Sequence, residues 1–279
     1  MGNNQPRPRR VWLAALLSLF VPGLGQLYSG RPKRALTIYF SGVLVIFIFL
    51  MSGLLRIFAG LIALVLAVVM FSVWVVWDAI RIARRSGDYS PRWFNRWYWY
   101  LAAWLLASLV APRLLALSPV RTFWIPSGSM EPALLLGDHL CADLAHYRSA
   151  KPVRGDIALL HSPENPTLLV TERVIGLAGE VIEIRNKSVF LDGRPFRDPW
   201  GQHTDARVYP ASGPSSPLGL RDNFGPLRIP TGMVFVLGDN RDNSYDSRFY
   251  GPVPTASLTG RPLYLYWSHD KSRIGRAIK

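Results

Sequence analysis

A chain of 279 residues with 49% apolar content and ten tryptophans is too apolar for a wholly soluble protein, and its length allows about two domains. Of its +14 net charge, most flanks apolar segments: residues 1–118 hold 13 basic residues against only Asp78 and Asp88, while the rest holds 19 basic against 16 acidic. That distribution excludes nucleic acid as the partner, because such binding needs basic residues clustered on a soluble face with stacking aromatics, and the soluble half is nearly balanced.

The first apolar run, residues 11–21, is short and is broken by Pro22-Gly23-Leu24-Gly25, which predicts an interfacial or re-entrant segment rather than a straight span. Its basic start and small glycines also imitate a cleaved signal peptide. Three later segments, residues 35–55, 57–80 and 98–118, are long enough to cross a bilayer of roughly 30 Å. If residues 11–30 re-enter, three basic clusters share one side: Arg7, Arg9 and Arg10; Arg31, Lys33 and Arg34; then Arg81, Arg84, Arg85, Arg92 and Arg96. That side is cytoplasmic by the positive-inside rule. Trp93, Phe94, Trp97, Tyr98, Trp99 and Tyr100 then mark the headgroup boundary where the last span enters. Asp78, at the end of a span, is expected to pair with Arg81 at the interface rather than act as an intramembrane functional carboxylate.

From Pro119 the pattern changes to short β-type runs between Gly, Pro and Asp: residues 156–161, 167–175, 180–184, 188–191 and 233–237. Asp192-Gly193 supplies the positive φ angles of a tight hairpin, and residues 210–217 read as a surface loop. The lone Cys141 has no partner for an intrachain disulfide or a zinc pattern, and its setting, His139-Leu140-Cys141-Ala142, predicts a small buried apolar residue. The expected organisation is therefore a membrane region over residues 1–118, with about three transmembrane helices plus the re-entrant or interfacial segment. One mostly β extracytoplasmic domain follows over residues 119–279.

Ile125-Pro126-Ser127-Gly128-Ser129-Met130-Glu131-Pro132 sets two hydroxyls around a glycine. Such composition makes an ordinary turn. It also suits a nucleophile site, in which Ser129 attacks and its own N–H joins the Ser127 hydroxyl on the oxyanion. Further motifs follow in order: Arg154-Gly155-Asp156-Ile157, the run Glu172-Arg173-Val174-Ile175-Gly176-Leu177-Ala178-Gly179-Glu180, and Gly238-Asp239-Asn240-Arg241-Asp242-Asn243-Ser244-Tyr245-Asp246-Ser247-Arg248. In this order and spacing, over residues 123–262, they resemble the bacterial type I signal peptidases, the S26 family of membrane serine endopeptidases.

The resemblance implies an all-β catalytic fold, cleavage of signal peptides from exported preproteins after small-x-small residues such as Ala-x-Ala, and no metal or organic cofactor. It also implies a multi-pass protein of the cytoplasmic (inner) membrane with its C-terminal domain outside, whose partners are preproteins and the lipid bilayer. By position Ser129 matches the nucleophile, and Ser127 with the Ser129 N–H matches the oxyanion donors. Ser244 matches the hydroxyl that orients the base, Asp246 with Arg248 a supporting ion pair, and Arg173 the family arginine. Ile125, Pro126, Val170 and Thr171 are the expected substrate lining. The base departs from the pattern, because Glu172 occupies the position of the family's lysine. A carboxylate, with a reference pKa near 4.3, must be raised by burial to serve as a base at neutral pH. Three readings stay open: a raised-pKa Glu172, a substitute such as His139, Lys151 or Lys187, or a non-catalytic relative that binds extended peptides. The extra membrane segments also leave open a peptidase dedicated to one client.

Overall fold

The apolar stretches form the helices their lengths foretell. In a computed structural model that describes residues 7–210 and 217–279, the chain divides into two compact units, Met1–Ser118 and Pro119–Lys279. All but the ends of the loop expected at residues 210–217 lies outside the described residues.

The first unit begins with β1 (Arg7–Pro8), which pairs antiparallel with β2 (Asp88–Tyr89). Five helices follow β1 in chain order: α1 (Val11–Phe20), α2 (Leu24–Tyr28), α3 (Pro32–Met51), α4 (Phe58–Arg85) and α5 (Trp97–Ala116). The last three are long and apolar enough to cross a membrane. Pro32 opens α3 at a position where its missing N–H costs nothing. Between α1 and α2 the chain reverses at Val21-Pro22-Gly23. Gly23 has φ 101°, and a Cβ there would lie 2.4 Å from the Ala35 carbonyl oxygen, so only glycine makes this turn.

The reversal brings the start and finish of residues 11–30 together. Arg10 N–H donates to the Tyr28 hydroxyl at 3.3 Å, and the Arg9 guanidinium lies 4.5 Å from the Tyr28 ring centre and 4.1 Å from that of Tyr89. Small residues let α1 approach α4 through Ala14, Ala79 and Ala83. Asp78 is fully buried and does not pair with Arg81, as its position in the sequence had suggested. The first turn of α3 faces α4, so Arg34 reaches both Asp78 oxygens, at 2.9 and 2.6 Å, while Gln26 donates to one of them at 3.1 Å. Arg81 instead lies over the Trp77 ring at 5.3 Å.

The second unit contains β3 (Val120–Trp124), β4 (His139–Asp143), β5 (Ile157–His161), β6 (Leu169–Gly176), β7 (Val181–Arg185), β8 (Ser188–Leu191) and β9 (Arg194–Pro195). After these come β10 (Phe224–Arg228), β11 (Met233–Leu237), β12 (Val253–Pro254) and β13 (Leu258–Trp267). Seven strands form an antiparallel sheet in the order β12-β11-β6-β5-β13-β4-β3, and four form a second in the order β10-β7-β8-β9. Three short helices interrupt them: α6 (His146–Ser149), α7 (Pro217–Asp222) and α8 (Ser247–Tyr250). The expected order, helices of membrane length and then a mostly β unit, is what the structure has.

Strand alternation sorts the core. Ile157 and Leu159 on β5 join Ile125, Met130, Leu134, Leu140 and Leu265 in one cluster. Ala158 and Leu160, on the opposite face of β5, join Val174, Val234 and Val236 in another. Ile175, Phe235 and Leu237 turn toward the second sheet and pack with Ile182, Ile184 and Val189. Burial on both faces explains why these strands read as continuous apolar runs. The Asp192-Gly193 turn has φ 49° and 75°, and it joins β8 to β9 as the sequence predicts. Cys141 is 3% exposed on β4, and burial pushes its thiol above the ordinary range.

Candidate functional site: a serine pair beside a buried carboxyl

The turn carrying Ser127 and Ser129 connects β3 to β4 and is pinned from beneath. Ile125, Met130 and Leu134 bury their side chains in the first core cluster. Ile125 N–H bonds the Asp138 carbonyl at 2.9 Å, Gly137 N–H returns to the Ile125 carbonyl at 2.8 Å, and Arg273 reaches Asp138 at 2.8 Å. Anchored in this way, the turn presents its hydroxyls outward. Ser127 is exposed, Ser129 is half-buried, and their Oγ atoms lie 3.2 Å apart. Among the described residues, the Ser129 N–H has no hydrogen-bond acceptor within the chain, as an oxyanion donor requires.

The stretch after β11 forms a second wall. Asn240 N–H donates to the Ser129 carbonyl at 2.9 Å, and its side-chain amide donates to the Gly128 carbonyl at 3.1 Å, so one residue clamps both sides of the turn. Gly238 has no room for a side chain: a Cβ would stand 2.3 Å from Ser244 Oγ and 2.7 Å from the Ser129 carbonyl oxygen. Asp246 takes two hydrogen bonds from the Arg248 guanidinium, each at 2.8 Å, one from the Arg248 N–H at 3.2 Å and one from Gly238 N–H at 3.1 Å. Ser247 Oγ accepts from Val236 N–H at 3.0 Å, which fixes the return of this loop onto β11.

The third wall is β6. Arg173 binds Asp239 through two hydrogen bonds of 2.7 Å and lies over the Trp200 ring, tying β6 to the loop. Glu172 points the other way by strand alternation, on the face of Val170 and Val174. In the β6–β11 ladder Val236 pairs with Val174 and Leu237 with Arg173, so one step further sets Glu172 across from Gly238. Glu172 is 3% exposed and its Oε2 has no hydrogen-bond partner among the described residues. Burial first, then the Asp246 charge, push its carboxyl well above the ordinary range, against the pull of Arg248. Ser244 Oγ, the Asn240 side-chain oxygen and the Tyr250 hydroxyl are also buried without partners among the described residues. Each such atom costs roughly 1–3 kcal/mol, so their concentration around one loop marks a site rather than a packing solution. Burial, followed by the Glu172 charge, raises the Tyr250 phenol as well.

The structure thus gathers Ser127, Ser129, Ser244, Asp246 and Arg248 around the Gly238 backbone, with Glu172 on the neighbouring strand. No hydrogen bond joins Ser129 to Glu172 among the described residues. Ile125 is buried in the core beneath the turn, Pro126 is exposed, and Val170 and Thr171 are half-buried on β6. The substitute bases have other occupations. His139 Nδ1 lies 3.2 Å from the Tyr266 hydroxyl, and Lys187 is held by Asp242 at 2.8 Å and by the Asp205 carbonyl at 2.6 Å. Lys151 is exposed. Sequence reasoning missed Asn240, Gly238 and Tyr250. The first two lie inside the quoted Gly-Asp-Asn-Arg-Asp motif, but Tyr250 stands outside it and gives no local signal.

A family model described as signal peptidase, peptidase S26, matches residues 96–267. The chain belongs to that family. Among its relatives, signal peptidase I of Leptolyngbya laminosa is 36% identical over 160 residues, which cover 53% of this chain and 71% of the relative. Signal peptidase I P of Bacillus subtilis subsp. natto is 36% identical over 150 residues, covering 52% and 77%. Thylakoidal processing peptidase 1 of Arabidopsis thaliana is 33% identical over 159 residues, covering 53% and 42%. A crystal structure of a signal peptidase I from Enterococcus faecalis is similar over 40% of this chain and 97% of that one, at 31% identity and a TM-score of 0.31.

Proposed function

We propose that this chain is a membrane-held serine endopeptidase that removes signal peptides from exported preproteins after small-x-small sites, with Ser129 as its nucleophile. The observation that carries the reading is the pair of hydroxyls 3.2 Å apart on a turn clamped by Asn240, within the span that the family model matches. In this reading Ser129 Oγ attacks the scissile carbonyl while a base takes its proton. The oxyanion forms against the Ser129 N–H and the Ser127 hydroxyl. Collapse expels the amine of the mature protein, which takes the proton back, and water then releases the acyl group from Ser129.

Glu172 serves as the base only when ionised, and burial, followed by the Asp246 charge, pushes that ionisation to a higher pH than an ordinary carboxyl needs. In this reading Ser244, which is buried without a partner among the described residues and packs against Gly238, orients that base, and the Asp246–Arg248 pair sets the local charge. The membrane helices hold the second unit on the outer face of the inner membrane, with the basic clusters in the cytoplasm.

The isolation of Glu172 favours a second reading, a relative that binds extended peptides without cutting them. Cleavage of an Ala-x-Ala preprotein by the full-length chain from pH 5 to 10, with Ser129→Ala and Glu172→Lys alongside, separates the two. A rate that rises with pH and is absent in Ser129→Ala supports the peptidase. An inert natural chain that gains cleavage in Glu172→Lys supports the binding relative.

A further inference from the structure

Residues 1–95 lie outside the family match, and they build a recess that the proposed chemistry does not use. It has a volume of about 690 Å³ and lies between the first turn of α3 and the last turns of α4. Its lining includes five cations, Arg31, Lys33, Arg34, Arg81 and Arg85, and one carboxylate, Asp78. Asp78 is already engaged by Arg34 and Gln26. Arg31, Lys33 and Arg85 are exposed and have no ion-pair partner among the described residues.

The placement of these charges runs against helix electrostatics. Arg84 and Arg85 suit the negative end of α4, whereas Lys33 and Arg34 stand at the positive end of α3, where a cation is repelled. The Lys33 and Arg34 N–H groups open that helix without backbone acceptors among the described residues, since Ala35 N–H is the first to find one, at Arg31. An anion in the recess would offset the mutual repulsion and accept from these donors.

A second recess indicates what kind of anion. It has a volume of about 650 Å³ and an apolar lining that includes Leu27, Ala35, Leu36, Trp99 and Leu106. Pro32 is a wall of both recesses. A basic hollow beside an apolar one, at the end of helices long enough to span a bilayer, matches a phosphate head joined to an acyl chain. A free phosphate would use only the first.

We propose that the recess between the first turn of α3 and the last turn of α4 binds the phosphate headgroup of an anionic phospholipid, with an acyl chain lying in the apolar recess beyond Pro32. The site is distinct from the serine pair and does not depend on the chain being catalytically active.

The test is native mass spectrometry of the purified full-length chain in mild detergent, titrated with phosphatidylglycerol, phosphatidylcholine or inorganic phosphate. Arg31→Gln/Arg85→Gln removes two recess charges. Arg56→Gln/Arg113→Gln removes two from the other end of the helices, and Arg31→Lys/Arg85→Lys keeps the charge. The natural chain should bind phosphatidylglycerol at least about tenfold more tightly than phosphatidylcholine. Arg31→Gln/Arg85→Gln should abolish that preference while keeping the phosphatidylcholine affinity, and the other two variants should keep the preference. Equal affinity for the two lipids in the natural chain overturns the proposal, as does a preference that survives Arg31→Gln/Arg85→Gln. Displacement of phosphatidylglycerol by millimolar phosphate overturns the lipid in favour of a free anion.

Discussion

Glu172 lies on β6 where ionisation is opposed: one oxygen has no partner among the described residues, and burial, then the Asp246 charge, outweigh the pull of Arg248. Its folded pKa exceeds the unfolded value near 4.3, so between the two the folded chain binds the extra proton. The associated stability is full below pH 4 or so and is lost as pH rises through the folded pKa. Glu172→Gln removes that dependence, so its thermal midpoint should gain on the natural chain as pH rises; a difference that stays flat from pH 4 to 9 sinks this account. Ser127 belongs to the same scale. Losing one oxyanion donor typically costs about 100-fold or more in kcat, so Ser127→Ala should show that loss in preprotein cleavage with KM little changed. Motif order singled out both residues in the sequence. The isolation of Glu172 was not legible there, because the strand across from it comes more than sixty positions later in the chain.

Among the elements, the loop after β11 governs the site by gripping a turn more than a hundred residues earlier. Asn240 donates to both Gly128 and Ser129. Asn240→Ala deletes the side-chain bond, which is worth roughly 1 kcal/mol to stability, and frees the turn that carries Ser129, the proposed nucleophile. The expected outcome is a small loss of thermal midpoint with a disproportionate loss of kcat, measured by calorimetry and preprotein cleavage on one sample. A loss confined to stability would make Asn240 a simple brace. Strands β8 and β11 lie where alternation and apolar runs put them. By contrast, β10 and β13 were not among the expected runs: Gly225-Pro226 and Gly260 to Pro262 interrupt their alternation, and the sheets accommodate them at register shifts. Asp78 escaped for a related reason: the nearest arginine in sequence was Arg81, but helix packing supplied Arg34.

For the molecule as a whole, the boundary between Ser118 and Pro119 coincides with the change from long apolar runs to short β-type ones, so the division was visible in composition alone. Which side of the membrane each unit occupies is a matter of charge placement. Here the solitary thiol acquires a use. Cys141 sits 3% exposed in the interior of β4, so it should stay silent toward a bulky water-borne alkylating reagent. The natural chain is therefore its own blank for mapping sidedness, with no cysteine to remove first. New thiols at the exposed positions Ser52, Ser90 and Thr204 should divide under an impermeant maleimide added to intact cells. Ser52→Cys and Thr204→Cys should react at once, and Ser90→Cys only after the membrane is opened. The reverse pattern would turn the protein over, placing the serine pair in the cytoplasm where no exported preprotein could meet it.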